Sequence, residues 1–320
     1  MSKFDPYEHL KLVKNQDGTL TRLIVFPQIP ATGEDDILPG QTVVTKDVTL
    51  DANKNTWVRI FRPVKIPSND SKIVRLPLVM YFHGGGWINF QVSSSTNHES
   101  MNKLSYEVPA IIVAVNYRLA PETKLPGQYD DALDALNWVK AQSTDPDGDP
   151  WMTQYVDFSR VFLYGISCGA NIVLQTALRV INEDISPLTI AGIILCEPLI
   201  GGKKRTKSEI KLAADTLFPL PVIDLLWELA LPNGTDRDHR FCNPLADQQV
   251  KEKMGKLGRC LVIGFGGDPL IDRQQELVQM MVMQGVVVEA RFDDVGFHAI
   301  EMVDPRRASA IRNFVKEFIN

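Results

Sequence analysis

Histidine and cysteine are scarce in this sequence, which holds five histidines and four cysteines among its 320 residues. The cysteines show no paired spacing, and we interpret them as free thiols in a reducing compartment, without a zinc site. No apolar run approaches the ~20 residues of a membrane span, and the amino terminus lacks the basic and then apolar pattern of a secretory signal. We therefore predict a cytoplasmic protein without a metal or other cofactor.

The sequence also lacks an excess of positively charged residues, and its formal net charge is −5 at pH 7. A weakly acidic chain has no general attraction for nucleic acid or anionic membranes. Apolar residues make up 44% of the sequence and charged residues 23%, which is ordinary for a globular protein with a large core. We expect a small-molecule partner, no nucleic-acid or membrane partner, and a monomer or homodimer.

One short stretch, Gly165–Gly169, matches the pattern G-x-S-x-G around Ser167. An apolar run at 161–164 precedes it and predicts a buried strand, whereas the apolar stretch 172–180 predicts a helix. A serine between a strand and a helix, with glycine two residues away on each side, is typical of a nucleophile elbow. A chance match is the alternative, since the pattern is short. The context favours Ser167 as a nucleophile at the end of a strand.

A run of three glycines, Gly84–Gly86, stands between His83 and Trp87 and directly follows the apolar strand predicted at 78–82. Such a run marks a place where backbone approaches another group closely, because side chains would collide there. We interpret the N–H groups of Gly84 and Gly85 as donors to an oxyanion. A flexible turn is the alternative interpretation.

An acid and a histidine follow later strands in an order that completes a triad. Asp268 stands just past the strand predicted at 259–265, and His298 is the only histidine in a loop after the last predicted strand, 286–292. Asp272 is a rival acid, but its position before Gln275 favours a helix N-cap role. The order Ser167, Asp268, His298 is that of α/β-hydrolases.

Residues 203–240 interrupt the alternation of strands and helices. Two short helices are predicted there, at 208–217 and 221–231, and both Phe218 and Trp227 offer aromatic surface. An inserted lid over the site and an ordinary pair of packing helices both fit this pattern. Arg118 lies in an apolar setting, so we expect it to pair with Asp130 or Asp131 in a structural role.

Periodicity predicts the remaining elements, with 27–40 interpreted as a loop and 63–77 as a largely polar connection. Further strands are predicted at 20–26, 42–50, 57–62, 111–115 and 190–196, the second and third as an antiparallel pair, and further helices at 130–140 and 305–319.

These motifs together resemble the plant carboxylesterases of the hormone-sensitive-lipase-like group of α/β-hydrolases. The pieces that match are 83–87 (HGGGW), 117–122 (YRLAPE), 165–169 (GISCG), 267–272 (GDPLID) and 296–298 (GFH), with the stretches at 238–239 and 243–244 also similar. The resemblance covers essentially the whole chain. It implies a single domain over 1–320 with an eight-stranded, mostly parallel sheet, helices on both faces, and a cap formed by about 1–40 and 205–240.

The resemblance also implies site residues and a substrate class. The oxyanion donors would be the N–H groups of Gly84, Gly85 and Cys168, and the substrates would be short acyl or aromatic esters, including acetylated specialised metabolites. We expect the substrate pocket to be lined by Trp87, Ile166, Phe218 and Trp227. The group usually has an acid before the serine and Ala or Ser after it, where this chain has Ile166 and Cys168. The loss of the acid changes the polarity beside the elbow.

Three functions are compatible with these residues. The first is a serine carboxylesterase, in which His298 takes the proton of Ser167 and Asp268 orients His298. The second is a hormone receptor without hydrolysis, as in the plant gibberellin receptor, although such receptors lack the histidine that this chain has at 298. The third is an elimination or cyclisation in specialised metabolism. Cys168 as the nucleophile is disfavoured because the elbow presents Ser167.

Overall fold

The computed structural model describes residues 4–34, 37–66, 68–69 and 72–320. The strands are β1 (Leu12–Lys14), β2 (Leu20–Arg22), β3 (Val43–Asp51), β4 (Thr56–Pro63), β5 (Ser68–Asn69), β6 (Lys72–Ile73), β7 (Leu76–Phe82), β8 (Ile111–Asn116), β9 (Val156–Ile166), β10 (Ile190–Cys196), β11 (Cys260–Phe265) and β12 (Val288–Asp293). The α-helices are α1 (Pro6–His9), α2 (Ser95–Glu107), α3 (Gly127–Thr144), α4 (Pro150–Tyr155), α5 (Cys168–Val180), α6 (Lys207–Lys211), α7 (Leu220–Ala230), α8 (Gln248–Met254), α9 (Ile271–Met283) and α10 (Pro305–Ile319). Short 3-10 helices lie at Pro244–Ala246 and Ile300–Met302.

The central sheet has eight strands in the order β12-β11-β10-β9-β7-β8-β4-β3. Strands β7 to β12 run parallel to one another, whereas β4 is antiparallel to both β8 and β3. The predicted mostly parallel sheet and its antiparallel strand pair are therefore confirmed. Because the six parallel strands share one direction, their carboxyl ends lie at one edge, where loops of this fold class bind ligands.

Both faces of the sheet are covered, which explains the wholly apolar strands. Successive side chains of β7 point to opposite faces, so Leu78, Met80 and Phe82 belong to one core and Val79 and Tyr81 to the other. The first core is completed mainly by α3, α5, α7 and α9, and the second by α2 and α10. The predicted arrangement of helices on both faces is confirmed.

Three predicted elements differ from the structure. The strand predicted at 20–26 ends at Arg22, beyond which Leu23, Ile24 and Val25 are exposed. The helix predicted at 208–217 is the shorter α6, because the chain then turns and the carboxylate of Asp215 accepts the N–H groups of residues 217 and 218. The helix predicted at 130–140 begins earlier, at Gly127.

Parts of two predicted segments lie outside the described residues, namely 1–3 and 35–36 of the segment 1–40, and 67 and 70–71 of the connection 63–77.

The partner of Arg118 is Asp131, one of the two predicted candidates. The guanidinium contacts the buried Asp131 carboxylate at 2.6 Å, and the Arg118 N–H donates to the same group at 2.9 Å. Asp130 pairs instead with Arg179 at 2.7 Å. The pair joins the segment that follows β8 to α3.

Candidate active site

The turn between β9 and α5 holds Ser167 in a strained backbone conformation. Ser167 has φ 56° and ψ −119°, in a region that residues with a side chain seldom adopt. The flanking glycines leave no room for side chains, since a Cβ on Gly165 would collide with the Gly169 carbonyl and one on Gly169 with the Phe82 carbonyl. This crowding turns the chain sharply and directs the serine hydroxyl away from the sheet.

Three side chains from distant parts of the chain form a continuous hydrogen-bonded row at this sheet edge. The Ser167 Oγ lies 2.9 Å from the His298 Nε2, and the His298 Nδ1 lies 2.8 Å from the Asp268 Oδ2. An ionised carboxylate can only accept hydrogen bonds, so Nδ1 carries the proton and Nε2 accepts from the serine hydroxyl. The three predicted triad residues are thus linked by two hydrogen bonds, with His298 between Ser167 and Asp268.

Asp268 is held by neighbouring groups and is fully buried. Its Oδ1 accepts the Leu270 N–H at 2.8 Å, and its Oδ2 accepts the Gln274 side-chain amide at 2.8 Å. Burial by itself lowers the pKa of His298, but the charge of Asp268, its hydrogen bond and the charges of Glu301 and Asp215 together outweigh burial. The pKa of His298 therefore lies above its ordinary value.

Asp272, the rival acid, serves another contact. Helix α9 has Leu270 as its N-cap, so the predicted N-cap role of Asp272 is wrong. The Asp272 carboxylate instead accepts the Ser208 N–H at 2.8 Å, and the Ser208 hydroxyl donates to the Pro269 carbonyl at 2.7 Å. These bonds tie the start of α6 to the loop that carries Asp268.

The glycine run lies against the elbow. A Cβ on Gly84 would lie 3.4 Å from the Ser167 Cβ, and a Cβ on Gly85 would lie 2.6 Å from the Asn89 carbonyl oxygen. Gly85 has φ +103°, a conformation that favours glycine. Within the described part of the chain, the Gly84 and Gly85 N–H groups donate to no other protein group. The Cys168 N–H is the first of α5 and has no acceptor within its helix.

The side chain of Cys168 lies beneath the glycine run and not in the site. Its thiol accepts the Trp87 N–H at 3.2 Å and lies 3.6 Å from the Tyr117 hydroxyl. The Tyr117 hydroxyl donates to the His83 carbonyl at 2.8 Å, and the Tyr117 ring stacks on the His83 imidazole. Burial raises the pKa of Cys168 to about 11, so the thiol stays protonated near neutral pH. Its contacts stabilise the loop from below.

A cavity of about 460 Å³ opens above Ser167 and His298. Two of the four predicted pocket residues, Ile166 and Phe218, line it. The Phe218 ring stacks on the His298 imidazole with ring centres 4.2 Å apart and planes 9° apart. The lining also includes apolar residues, among them Leu10, Ile88, Phe90, Leu226, Met302 and Val303, and polar residues, among them Thr96, Asn97, Glu99, Ser100, Glu301 and Arg312.

The other two predicted pocket residues, Trp87 and Trp227, do not line this cavity, so their prediction is wrong. Both side chains are fully buried, with ring centres 4.7 Å apart. Helix α7 packs so closely on the glycine run that a Cβ on Gly86 would lie 2.6 Å from the Leu226 side chain. Successive residues of a helix point about 100° apart, so Leu226 faces the cavity while Trp227 faces the core.

The segment before β3 also contacts the site. Leu10 lines the cavity, and the His9 Nε2 lies 3.3 Å from the Leu217 carbonyl oxygen, beside the aromatic residue that stacks on His298. Arg22 donates to the Ile88 carbonyl at 2.6 Å and pairs with Glu122 at 2.8 Å. Residues from the amino-terminal segment and from the 205–240 segment therefore meet over the same opening.

Glu197 was missed by sequence reasoning, although it stands one residue past β10 and its carboxylate reaches the histidine loop. It is fully buried, and its Oε2 accepts the Ala299 N–H at 2.7 Å. The signal was present, because a carboxylate just after a core strand was the criterion that selected Asp268. Tyr81 and Glu301, which line the cavity, had no such signal.

Comparisons with known proteins agree with this geometry. A family model for the alpha/beta hydrolase fold matches residues 79–302. Probable carboxylesterase 9 of Arabidopsis thaliana is 51% identical over 318 residues, which cover 99% of this chain and 98% of that protein. A 3-O-acetylpapaveroxine carboxylesterase of Papaver somniferum is 43% identical over 324 residues, with 98% of this chain and 99% of that protein covered. The chain therefore belongs to the α/β-hydrolase fold family.

A solved structure supports the fold independently. A hyperthermophilic esterase from the archaeon Pyrobaculum calidifontis matches with a TM-score of 0.71 at 22% identity, covering 86% of this chain and 85% of that one. With the plant relatives, these findings confirm the predicted resemblance to plant carboxylesterases. The chain is a carboxylic-ester hydrolase.

Two features are absent from the described residues. None of the helices in this part of the chain is both long enough and apolar enough to cross a membrane. The same residues hold no cluster of three or more His, Cys, Asp or Glu side chains arranged for a metal ion.

Proposed function

We propose that this hydrolase cleaves short-chain, acetyl-type esters of small plant specialised metabolites through Ser167, His298 and Asp268. The observation that carries the proposal is the row of two hydrogen bonds, 2.9 Å and 2.8 Å long, that joins the three side chains beneath the cavity. A hydroxyl becomes a useful nucleophile near neutral pH when an oriented base removes its proton.

The reaction begins with attack of the Ser167 Oγ on the ester carbonyl carbon. The His298 Nε2 takes the hydroxyl proton, and the Asp268 carboxylate stabilises the imidazolium that forms. His298 then gives this proton to the departing alcohol oxygen, which leaves an acyl group on Ser167. In the second half, His298 removes a proton from water, and the resulting attack releases the acid and restores the serine.

The negative charge that develops on the carbonyl oxygen needs donors at a fixed place. The N–H groups of Gly84, Gly85 and Cys168 fit this role, because Gly84 adjoins the Ser167 side chain, Gly85 follows it directly, and the N–H groups of both glycines have no acceptor in the described residues. Removing one such donor costs roughly 3 kcal/mol of transition-state stabilisation in comparable sites. All three donors are backbone groups, so the side chain of Cys168 does not alter them.

The substrate class follows from the size of the cavity and from the relatives. A volume of about 460 Å³ is within the range of small-molecule sites. Ile166 and Phe218 present apolar surface beside the nucleophile, which suits a small acyl group or an aromatic alcohol. The Papaver somniferum relative is named for an acetylated compound, 3-O-acetylpapaveroxine, and this supports the acetyl-type proposal.

The cap is part of the same proposal. We assign it to about 1–40 and 205–240 of a single domain, because Leu10 and Phe218 line the opening and His9 contacts the Leu217 carbonyl. The cytoplasmic location and the monomeric or homodimeric state stay predictions.

Hydrolysis of p-nitrophenyl esters of increasing acyl length, by the wild type and by Ser167→Ala, tests the proposal. We expect acetate to butyrate to be preferred, and kcat of Ser167→Ala to fall on the order of 10⁵- to 10⁶-fold. The exposed Ser159 supplies a matched control, and its alanine variant should retain wild-type turnover. Turnover by Ser167→Ala at the wild-type rate would contradict the proposal.

An elimination or a cyclisation can be distinguished from ester hydrolysis by following the oxygen atom of water. Hydrolysis in H₂¹⁸O places one ¹⁸O atom in the released acid, because water opens the acyl-serine. An elimination or a cyclisation changes the substrate without that label. Binding of a small molecule without any turnover would instead favour the receptor alternative.

A further inference from the structure

We infer that Glu197 is a second acid behind His298, a positioning residue that holds the histidine loop and replaces Asp268 when that carboxylate is lost. The inference rests on the proposed triad. It stands on the placement of two carboxyl groups around one imidazole nitrogen, and it assigns a role to a buried acid that the mechanism above does not use.

The two acids approach the same atom of the imidazole. The His298 Nδ1 lies 2.8 Å from the Asp268 Oδ2 and 3.9 Å from the Glu197 Oε2. Strands β10 and β11 are neighbours and parallel, so the residues just past their carboxyl ends come together at one edge. A movement of about 1 Å would bring the Glu197 Oε2 within hydrogen-bond distance of Nδ1.

Glu197 also fixes the backbone next to the histidine. Its Oε2 accepts the Ala299 N–H at 2.7 Å, and Ala299 has φ 63°, in the left-handed region that an alanine seldom adopts. Strained conformations of this kind persist only where surrounding contacts hold them. The hydrogen bond from the Ala299 N–H to Glu197 is such a contact. It fixes the backbone next to His298 and thereby the orientation of the His298 side chain.

The charge state of Glu197 explains why it does not act as the acid partner of His298 while Asp268 is present. Burial, with the nearby charges of Glu301 and Asp268, raises the pKa of Glu197 well above its ordinary value. The other titratable groups that face it are His298, Cys196 and Tyr164. The Glu197 Oε1 has no hydrogen-bond partner among the described residues, so no donor there stabilises a negative charge on that oxygen. Loss of the Asp268 charge favours ionisation of Glu197, which then can accept from Nδ1.

A double-mutant cycle tests the inference with p-nitrophenyl acetate as the probe. The variants are Asp268→Ala, Glu197→Gln and the two combined, with Ser167→Ala as the blank. Glutamine has the shape of a protonated glutamate and keeps an oxygen for the Ala299 N–H, but it cannot ionise. We expect Glu197→Gln to lower kcat by no more than about threefold in the wild type and by at least about tenfold in Asp268→Ala, since contacting residues couple by such factors.

Two further readouts separate a reserve acid from a structural residue. Asp268→Ala alone should lose about 10²-fold in kcat, less than the roughly 10⁴-fold that loss of the acid costs a triad without a substitute. Its remaining activity should fall as the pH drops and Glu197 takes up a proton, and KM should stay near the wild-type value. Asp272→Asn is the matched control, because it removes an acid at the same sheet edge and should cost the same factor in both backgrounds.

Equal losses for Glu197→Gln in both backgrounds would overturn the inference, as would Asp268→Ala activity no higher than that of the double variant. If Asp268→Ala does not fold, as judged by its melting temperature, Asp268→Asn replaces it in the same cycle. Failure of the proposed function is a distinct result, because in that case Ser167→Ala would itself remain active.

Discussion

The serine side and the histidine side of this site are held in place in different ways. On the serine side, backbone crowding sets the geometry, since Gly165, Gly169 and Gly85 each lie where a Cβ would meet another backbone group. On the histidine side, buried side chains do so, because Asp268, Gln274 and Glu197 bind one another or the loop. The serine side should therefore tolerate almost no substitution, whereas the histidine side contains a measure of redundancy.

A methyl group on Gly85 should distort the backbone geometry on the serine side without altering any reacting side chain. Gly85→Ala combines an unfavourable φ of +103° with a Cβ 2.6 Å from the Asn89 carbonyl oxygen, so the proposed oxyanion donors must shift. We expect kcat/KM to fall by about 10²- to 10³-fold, as when an oxyanion donor is lost. Ester hydrolysis together with thermal melting measures this.

Gly18→Ala is the matched control for that variant. Gly18 has φ +87°, but a Cβ there would meet no atom within 4 Å. The backbone cost of roughly 1 kcal/mol should therefore appear in the melting temperature and not in turnover. Similar activities for the two variants would show that the geometry of the glycine run does not limit catalysis.

Phe218 tests how far the cap supports the histidine side. Phe218→Ala removes the ring that stacks on the imidazole at 4.2 Å and that lines the cavity. We expect about tenfold lower kcat/KM for small aromatic esters, since a few lost methylenes of apolar contact are worth this much. The neighbouring Leu217 is exposed and lies outside the cavity lining, so Leu217→Ala should change kcat/KM by less than about twofold.

The pH dependence of kcat/KM distinguishes a change on the serine side from a change on the histidine side. The base must be neutral to accept the serine proton, so kcat/KM should fall as the pH drops through the pKa of His298. Because Asp268, together with Glu301 and Asp215, outweighs burial and raises that pKa, the midpoint should lie above the ordinary value of about 6.5. Gly85→Ala should lower the plateau and leave the midpoint in place. A midpoint below 6 in the wild type would contradict the account of the Asp268 contact.

The sequence predicted the fold and the serine side well, for physical reasons. Central strands covered on both faces must be apolar throughout, and close backbone contacts require glycine, so both features can be recognised in one sequence. The confirmed eight-stranded sheet and the placement of Ser167 between β9 and α5 follow from these constraints.

The parts that sequence reasoning missed depend on contacts between distant segments. Trp87 and Trp227 were predicted to line the pocket, but both rings are fully buried and pack on each other where α7 meets the glycine run. Helix α6 is short because the Asp215 side chain binds the following backbone, a local competition that apolar spacing does not reveal. The sequence does show Glu197 just past a core strand, but its position beside His298 depends on β10 lying next to β11, which only the folded sheet shows.

The central claim is that Ser167 is the nucleophile, and covalent labelling tests it most directly. A fluorophosphonate probe, followed by digestion and mass spectrometry, locates the modified residue in the peptide that carries both Ser167 and Cys168. The account predicts phosphonylation of Ser167 alone, suppressed in His298→Ala, because the serine needs its base and the Cys168 thiol is buried and protonated. Modification at any other residue, with Ser167 left unlabelled in active protein, would contradict it.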